Sequence, residues 1–270
     1  WVSEFHIDGF RFDAPTYNDF YNWAPWARYR AGASALACTS LFEKMRPIFK
    51  EINPDFLFYT EPSGLCLRKS MDLNYNYDEQ WLVTALGDPK SKKEWGIRSA
   101  KDVAIWISER DVLLPNGSMT AHHIDSHDTF WWPSWGKKWR REQFDLDTVK
   151  LLTLIFGSLP GPFMMFVGGE EGIEDLLPKM ANLKANMIWL NGAKHWWVGS
   201  DTPEEIFGFS RIFEKQGMTV LVNMSDSFKT IIPEISMVDI EVVFSLGAIS
   251  KVSETLEIAP RSAIVLSHKV

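Results

Sequence analysis

Residues 8–13 read DGFRFD, and this stretch decides the fold of the front of the chain. Its apolar side chains alternate with Arg11, and a period of two is typical of a strand with one buried face. The same period puts Arg11 and Asp13 on one face of the strand. The pattern therefore predicts a short strand over Phe5–Phe12 that ends at a carboxylate.

Outward from this stretch, strand-like and helix-like segments alternate as far as about residue 200. Apolar runs predict strands over Phe56–Tyr59, Leu73–Tyr77, Thr120–Ile124 and Pro162–Val167. Helical periodicity and helix-stop residues predict helices over Ala31–Glu51, Ala100–Leu113, Asp145–Phe156 and Ala181–Leu190. Acidic or polar residues follow the strands, and in βα architectures the carboxyl ends of the strands carry the chemistry.

The character of the sequence changes after Thr202. Short strand candidates with Gly, Pro, Asn and Ser turns between them follow at Phe207–Phe213, Met218–Asn223, Thr230–Ile232, Ile240–Phe244 and Ala263–Leu266. We therefore predict a domain boundary near residue 203. It would separate a βα domain over residues 1–202 from an antiparallel β domain over residues 203–270.

Composition narrows the classes of function. The chain has 270 residues, 46% of them hydrophobic, which is enough for a sizeable core and excludes a disordered chain. Its formal net charge of −7 argues against nucleic acid as a partner, because phosphate binding needs a basic surface. No stretch reaches the roughly 20 apolar residues of a membrane span, so we expect no membrane partner. The 13 Trp residues suit a site that stacks on sugar rings.

Three acidic residues follow three of the predicted strands: Asp13, Glu61 and Asp128. A single acid at a strand end is a weak signal, because acids also cap helices and turns. Three such acids at one sheet edge, with Arg11 before the first and His127 before the third, favour a catalytic site.

In these motifs the sequence resembles the α-amylase family of glycoside hydrolases. Residues 8–13, DGFRFD, resemble the family's fourth-strand motif, in which an Arg precedes the nucleophilic Asp by two positions. Residues 58–61, FYTE, resemble the fifth-strand motif, and residues 124–128, IDSHD, resemble the seventh-strand motif. Residues 160–163, PGPF, which lead to GGEEG at residues 168–172, resemble the eighth strand and its loop.

The resemblance implies an α/β fold. It implies a (β/α)8 TIM barrel, represented here only by its later strands, four to eight, followed by a small antiparallel β-sandwich domain. A partial parallel barrel leaves unpaired sheet edges, so we hypothesise that the chain is a fragment of a longer enzyme. Its partner would be the missing N-terminal part of the barrel, or a second copy through self-association. The chain opens at Trp1 rather than Met, so localisation is left unknown, with the cytoplasm slightly favoured.

The resemblance also implies a role for each acid. Asp13 is the nucleophile and Arg11 holds its pKa down, whereas Glu61 is the acid and then the base. Aromatic neighbours and the charge of Asp13 are expected to raise the pKa of Glu61. Asp128 stabilises the oxocarbenium-like transition state, and His127 hydrogen-bonds a sugar hydroxyl. For His127, a satisfied histidine at a strand end stays open as an alternative.

A cluster of tryptophans follows the third acid, at Trp131, Trp132, Trp135 and Trp139. Pro, Ser, Gly and Lys residues between them favour a loop over a buried helix. We therefore predict that Trp131 and Trp132 bind substrate by stacking on sugar faces. Packing in the core is the alternative interpretation.

The match departs from the family pattern at several positions. Ser126 stands where Asn is common before His–Asp, and Thr16 and Tyr17 stand where many members carry Lys and His. These departures argue against a standard endo-acting starch amylase. The chemistry requires no cofactor. Calcium is common in the family, but we predict no calcium site, because no cluster has a recognisable oxygen-ligand loop.

We therefore predict a retaining glycoside hydrolase or transglycosylase that acts on α-glucosidic bonds, with an α-glucan or oligosaccharide as its substrate. One alternative is a non-catalytic amylase-like binding or assembly subunit, which the loss of a catalytic carboxylate would favour. A second is an unrelated sugar-binding β/α protein with accidental motif matches.

Overall fold

The computed structural model describes residues 1–15, 37–61, 65–75, 77–88, 97–115, 117–131, 137–248, 251–252 and 255–270. The chain forms two compact units. Unit 1 consists of Trp1–Tyr77 and Val112–Ala121, and unit 2 consists of Asp78–Asp111 and His122–Val270.

Unit 1 is built on a four-stranded parallel sheet. Its strands lie in the order β1-β2-β3-β4, with β1 Gly9–Phe12, β2 Leu57–Thr60, β3 Leu73–Tyr75 and β4 Met119–Ala121. Its helices are α1 Val2–Phe5, α2 Ala37–Ile52 and α3 Leu65–Arg68. Parallel strands need crossover connections, and α2 supplies one between β1 and β2.

Phenylalanine rings form the core of unit 1. The ring centroid of Phe42 on α2 lies 4.5 Å from that of Phe12 on β1. Phe49, two turns further along α2, lies 5.1 Å from the buried Phe56. This packing holds α2 on the sheet and, with it, the pairing of β1 and β2.

The structure corrects the start of the first predicted strand. The strand predicted over Phe5–Phe12 begins only at Gly9, because Val2–Phe5 form a helical turn. His6 ends this turn with a φ of 51°, a left-handed conformation that cannot continue into an extended strand. The strand predicted over Leu73–Tyr77 ends at Tyr75, and the next helix begins at Tyr77. Residues 31–36 of the first predicted helix lie outside the described residues.

The other helices of the described residues lie wholly or mostly in unit 2. They are α4 Tyr77–Gly87, α5 Ala100–Leu113, α6 His127–Trp131, α7 Arg140–Gln143, α8 Leu146–Ser158, α9 Leu177–Ala185 and α10 Met187–Asn191. None of the helices in the described residues has the length and hydropathy that a membrane-spanning helix requires.

Two of the predictions in this region were wrong. The helix predicted over Ala181–Leu190 is interrupted at Asn186, whose ψ of 136° is extended and whose side chain instead caps α10 by accepting the Ile188 N–H at 2.9 Å. The strand predicted over Pro162–Val167 is reduced to one parallel bridge between His122 and Phe163. A turn between Phe166 and Gly169 bends the chain away before a ladder can form.

The C-terminal part is antiparallel, as predicted. A five-stranded sheet has the order β5-β6-β7-β12-β9, and a three-stranded sheet has the order β10-β11-β8. The strands are β5 Ala193–Trp196, β6 Ile206–Phe213, β7 Gln216–Asn223, β8 Lys229–Ile231, β9 Val238–Leu246, β10 Lys251–Val252, β11 Leu256–Ile258 and β12 Ser262–Lys269. Buried side chains of α8 and of β6 and β7 belong to one core, among them Leu152, Phe207 and Val220. The domain boundary near residue 203 and the sandwich stay predictions.

A buried cluster of charged residues lies within unit 2. Glu79 accepts from Arg110 Nη2 at 2.8 Å, and His122 Nδ1 lies 2.8 Å from the same oxygen. Burial favours the neutral form of Glu79, but the charges of His122 and Arg110 outweigh it and lower the pKa of Glu79 to about 2. Burial lowers the pKa of the neighbouring His123 to about 4, against the attraction of Glu79.

We predict that His123 makes unit 2 sensitive to acid. Its folded pKa of about 4 is below the unfolded value of 6.5, so the unfolded state binds the extra proton first. The contribution of neutral His123 to the free energy of unfolding is present in full above pH 6.5. It is lost as the pH drops towards 4, and the loss is about 3 kcal/mol. Urea unfolding at pH 7 and pH 4.5, followed by Trp fluorescence, should show a smaller loss in His123→Gln than in the wild type.

The control for this prediction is His6→Asn. His6 is exposed, and Asn tolerates its left-handed backbone conformation. This variant also lacks one histidine but should keep the wild-type loss of stability in acid. An equal loss in His123→Gln and the wild type would show that His123 is not responsible.

Candidate active site

The parallel pairing of β1 and β2 brings two acidic residues together. Phe12 and Thr60 are the last residues of the two strands and are partners in the register. Asp13 and Glu61 follow directly, and the Glu61 N–H donates to the Phe12 carbonyl at 3.0 Å. The sheet therefore ends in two neighbouring carboxylates on its carboxyl edge.

Arg11 binds both carboxylates. Its Nη1 lies 2.9 Å from Asp13 Oδ1, and its Nη2 lies 2.8 Å from Glu61 Oε1. Burial opposes the charged form of Arg11, but the hydrogen bond with Asp13 and the charge of Glu61 outweigh it and raise the pKa of the guanidinium. The contact with Asp13 was expected from the sequence, and the contact with Glu61 was not.

The two carboxylates differ in their surroundings. The side chain of Glu61 is 4% exposed, and that of Asp13 is 78% exposed. The second oxygen of Glu61 accepts the Ala14 N–H at 2.8 Å, and Ala14 adopts a φ of 40°. Donors on both oxygens of Glu61 stabilise a carboxylate. The protonated Glu61 that the resemblance implies stays a prediction.

His127 and Asp128 belong to unit 2, where they form the first turn of α6. A reciprocal cap lies on either side of them: Thr129 N–H donates to Ser126 Oγ at 3.2 Å, and Ser126 N–H donates to Thr129 Oγ1 at 2.8 Å. Ser126 and Thr129 are both fully buried. His127 Nε2 lies 3.6 Å from Asp128 Oδ1, so the two predicted site residues are neighbours.

The tryptophan cluster divides into two kinds of residue. Trp131 is 56% exposed, so part of its ring is accessible to a ligand. Lys137 Nζ lies 4.9 Å from the ring centroid. Trp139 instead packs between Phe130 and Phe166, at centroid distances of 4.6 and 5.3 Å. This supports the packing interpretation for Trp139. Trp132 and Trp135 lie outside the described residues.

Unit 2 also holds arginines whose roles the sequence did not predict. Arg141 Nη1 donates to the Gly168 carbonyl at 2.6 Å and its Nη2 pairs with Glu171 at 2.5 Å, tying down the loop after residue 166. Arg140 is fully buried and hydrogen-bonds Asp125. No sequence pattern marks a buried arginine, because its partners come from distant parts of the chain. The three-residue spacing of Ser126 and Thr129 is a signal that could have found the cap.

Asp13 and Glu61 take guanidinium donors, and Glu61 takes a backbone donor as well. We therefore assign no metal ion to them. The arrangement fits acid–base and nucleophilic chemistry by carboxylates.

Comparisons with solved structures show the fold. Amy13B of Eubacterium rectale is similar, with a TM-score of 0.73, 12% identity and coverage of 98% of this chain and 60% of its own. A noncanonic maltogenic α-amylase, AmyB of Thermotoga neapolitana, has a TM-score of 0.69 at 15% identity and covers 100% and 63%. The debranching enzyme of Nostoc punctiforme has a TM-score of 0.68 at 16% identity and covers 96% and 58%.

These structures have the TIM-barrel fold of α-amylase-family enzymes, so the resemblance seen in the motifs is confirmed as a likeness of fold. The chain spans about 60% of the length of the structures it matches. No family model and no curated protein sequence matches it.

We predict that the cap formed by Ser126 and Thr129 stabilises the turn that carries His127 and Asp128. Thr129→Val keeps the shape but leaves the buried Ser126 N–H without its acceptor. The free energy of unfolding should fall by about 1–3 kcal/mol, as expected for an orphaned buried donor. Urea unfolding at pH 7 measures this.

Thr153→Val is the matched control. Thr153 is also fully buried, and its Oγ1 has no hydrogen-bond partner among the described residues. Removal of that hydroxyl should leave stability unchanged or raise it slightly. Equal losses in the two variants would contradict the role assigned to the cap.

Proposed function

We propose that the chain carries the catalytic carboxylates of a retaining glycoside hydrolase or transglycosylase that acts on α-glucosidic bonds of oligo- or polysaccharides. One observation carries the proposal: a single guanidinium, Arg11, binds Asp13 and Glu61 at the ends of adjacent parallel strands. The likeness of fold to amylases and a debranching enzyme supports the substrate class.

We propose retention from the resemblance of residues 8–13 and 58–61 to the family's motifs. Retaining enzymes hold their two carboxyls about 5–5.5 Å apart, whereas inverting enzymes leave about 6.5–9.5 Å for a water molecule. The two terminal nitrogens of one guanidinium reach Asp13 and Glu61 at 2.9 and 2.8 Å, so the two carboxyls are close neighbours. The stereochemistry of the product, tested below, decides between the two spacings.

The exposures of the two residues suggest their roles. The exposed Asp13 carboxylate attacks the anomeric carbon and forms a glycosyl ester, while Glu61 gives a proton to the leaving oxygen. Glu61 then takes a proton from the incoming water or sugar hydroxyl, which displaces Asp13 and restores both groups. Arg11 keeps Asp13 ionised and ready to attack.

The proposal extends to unit 2 through the motif of residues 124–128. Asp128 would stabilise positive charge on the sugar ring in the transition state, and His127 would hydrogen-bond a sugar hydroxyl. Trp131, which exposes its ring, and Trp132 would stack on sugar faces. The presence of all three carboxylates argues against a non-catalytic binding or assembly subunit.

We also propose that further βα units complete the sheet of unit 1, whether from the same polypeptide or from a separate chain. Among the described residues, β1 pairs only with β2, which leaves its other edge open. Leu41, Ile48 and Ile52 are at least half exposed and recur along α2 at helical spacing. An open parallel edge beside an apolar helix face suits another βα layer.

The test of the catalytic proposal is the stereochemistry of the first product. Maltooligosaccharides, sucrose and trehalose are supplied, and the anomer released first is followed by NMR. Retention predicts the α anomer first. Asp13→Asn should lower kcat/KM by at least about 10³-fold, because the nucleophile is lost.

Asp8→Asn is the control for that variant. Asp8 is exposed and precedes the opposite end of β1, so it should keep wild-type activity. A β anomer as the first product would overturn retention. Equal sugar release by Asp13→Asn and the wild type would overturn the nucleophile assignment.

The proposal of further βα units is tested on the native protein. Its intact mass should exceed the 31.0 kDa of this chain, or a second polypeptide should copurify with it. A native protein of 31.0 kDa that sediments as an active monomer would contradict the proposal.

A further inference from the structure

We infer that Arg140 is a positioning residue that fixes the turn bearing His127 and Asp128. The inference rests on the proposed function for its meaning in catalysis. Arg140 is the first residue of α7 and is completely buried within unit 2. It would act through its hold on residues 124 and 125, not by touching substrate.

The contacts of Arg140 converge on the segment just before the turn. Its backbone N–H donates to Asp125 Oδ1 at 2.9 Å, and its Nε donates to the Ile124 carbonyl at 3.3 Å. Nη2 donates to the Gln80 carbonyl at 3.1 Å, and Nη1 donates to Gln143 Oε1 at 2.8 Å. The side chain thus joins Ile124 to α4 and to its own helix, while the backbone N–H of Arg140 holds Asp125.

The geometry of the guanidinium explains why an arginine occupies this place. Its donors have fixed directions in one plane, so three acceptors on different segments are held at once. A lysine has one flexible ammonium and cannot reproduce this geometry. Removal of water from a charged group is unfavourable unless its donors find partners, and here Ile124, Gln80 and Gln143 supply them.

Asp125 adds to the constraint. Its carboxyl is buried, and burial raises its pKa although the Arg140 N–H and charge act in the opposite direction. A buried carboxyl keeps its position only while its donor stays in place. The hydrogen bond between the Arg140 N–H and the Asp125 carboxyl therefore couples α7 to residues 124–125. A shift of α7 moves these residues with it.

The segment from Asp125 to Asp128 has little freedom to absorb such a shift. Ser126 is the next residue, and its reciprocal hydrogen bonds with Thr129 fix the start of α6. His127 and Asp128 follow within that helix turn. A displacement at Asp125 is therefore carried to Asp128, and misplacement of about 1 Å costs about 10²-fold in rate in well-oriented reactions.

The experiment compares Arg140→Lys with Arg211→Lys. Arg211 is also buried in unit 2 and donates to the carbonyl of Leu190, but it lies on β6 and contacts neither residue 124 nor residue 125 in any described hydrogen bond. Near-UV circular dichroism first measures how much of each variant is folded, and the rates are corrected for that fraction. The first readout is the backbone amide shifts of Ser126, His127 and Asp128 in ¹H–¹⁵N NMR, and the second is kcat and KM on a maltooligosaccharide.

We expect the three amide shifts to move in Arg140→Lys and to stay at wild-type positions in Arg211→Lys. In parallel, kcat should fall about 10- to 100-fold in Arg140→Lys with a smaller change in KM, and stay within about twofold in Arg211→Lys. If Arg140→Lys does not fold, Gln143→Leu removes one acceptor of Arg140 and should move the same amides by less.

Unchanged amide shifts in the folded Arg140→Lys variant would overturn the inference. If the wild-type enzyme is active, an equal kcat in Arg140→Lys would overturn it too. A native protein, complete with any further βα units, that releases no sugar would overturn the proposed function instead. The amide shifts would still decide the positioning role of Arg140, so the two failures can be told apart.

Discussion

The contact of one arginine with two carboxylates is the interaction on which the proposed chemistry of unit 1 depends. Parallel pairing of β1 and β2 places Asp13 and Glu61 side by side, where two negative charges repel each other. Arg11 offsets that repulsion from the same strand as Asp13, two residues earlier. The core of phenylalanine rings, which includes Phe12 directly before Asp13, packs against these strands and supports their register.

In unit 2, buried polar contacts fix the position of His127 and Asp128. His127 and Asp128 lie on a helix of five residues, which is too short to be stable by itself. Ser126 Oγ accepts the Thr129 N–H of this helix, and the buried Arg140 anchors the residues before it. Polar side chains that are buried and fully engaged thus supply the order that a short helix lacks.

The sequence allowed prediction of β1 and β2 and of the acids that follow them, because alternation and an acid after a strand are local signals. The strand predicted over Thr120–Ile124 is observed over Met119–Ala121 instead. The sequence also placed α5 at its observed bounds. It failed where tertiary structure decides: Pro162–Val167 has strand composition, but only Phe163 finds a partner, in His122. The second contact of Arg11 and the place of Arg140 depend on segments distant in sequence, so no local pattern revealed them.

The surroundings of Glu61 set a condition on any mechanism that uses it as an acid. Arg11 and the Ala14 N–H both stabilise its carboxylate, yet the first step of a retaining reaction requires its proton. A bound sugar can meet this requirement if it draws Arg11 towards Asp13, whose charge is needed at that moment. Glu61 would then lose its cationic partner while staying buried, and burial without a cation favours the neutral acid. Under the proposed mechanism, Arg11 would in this way link substrate binding to the protonation of Glu61.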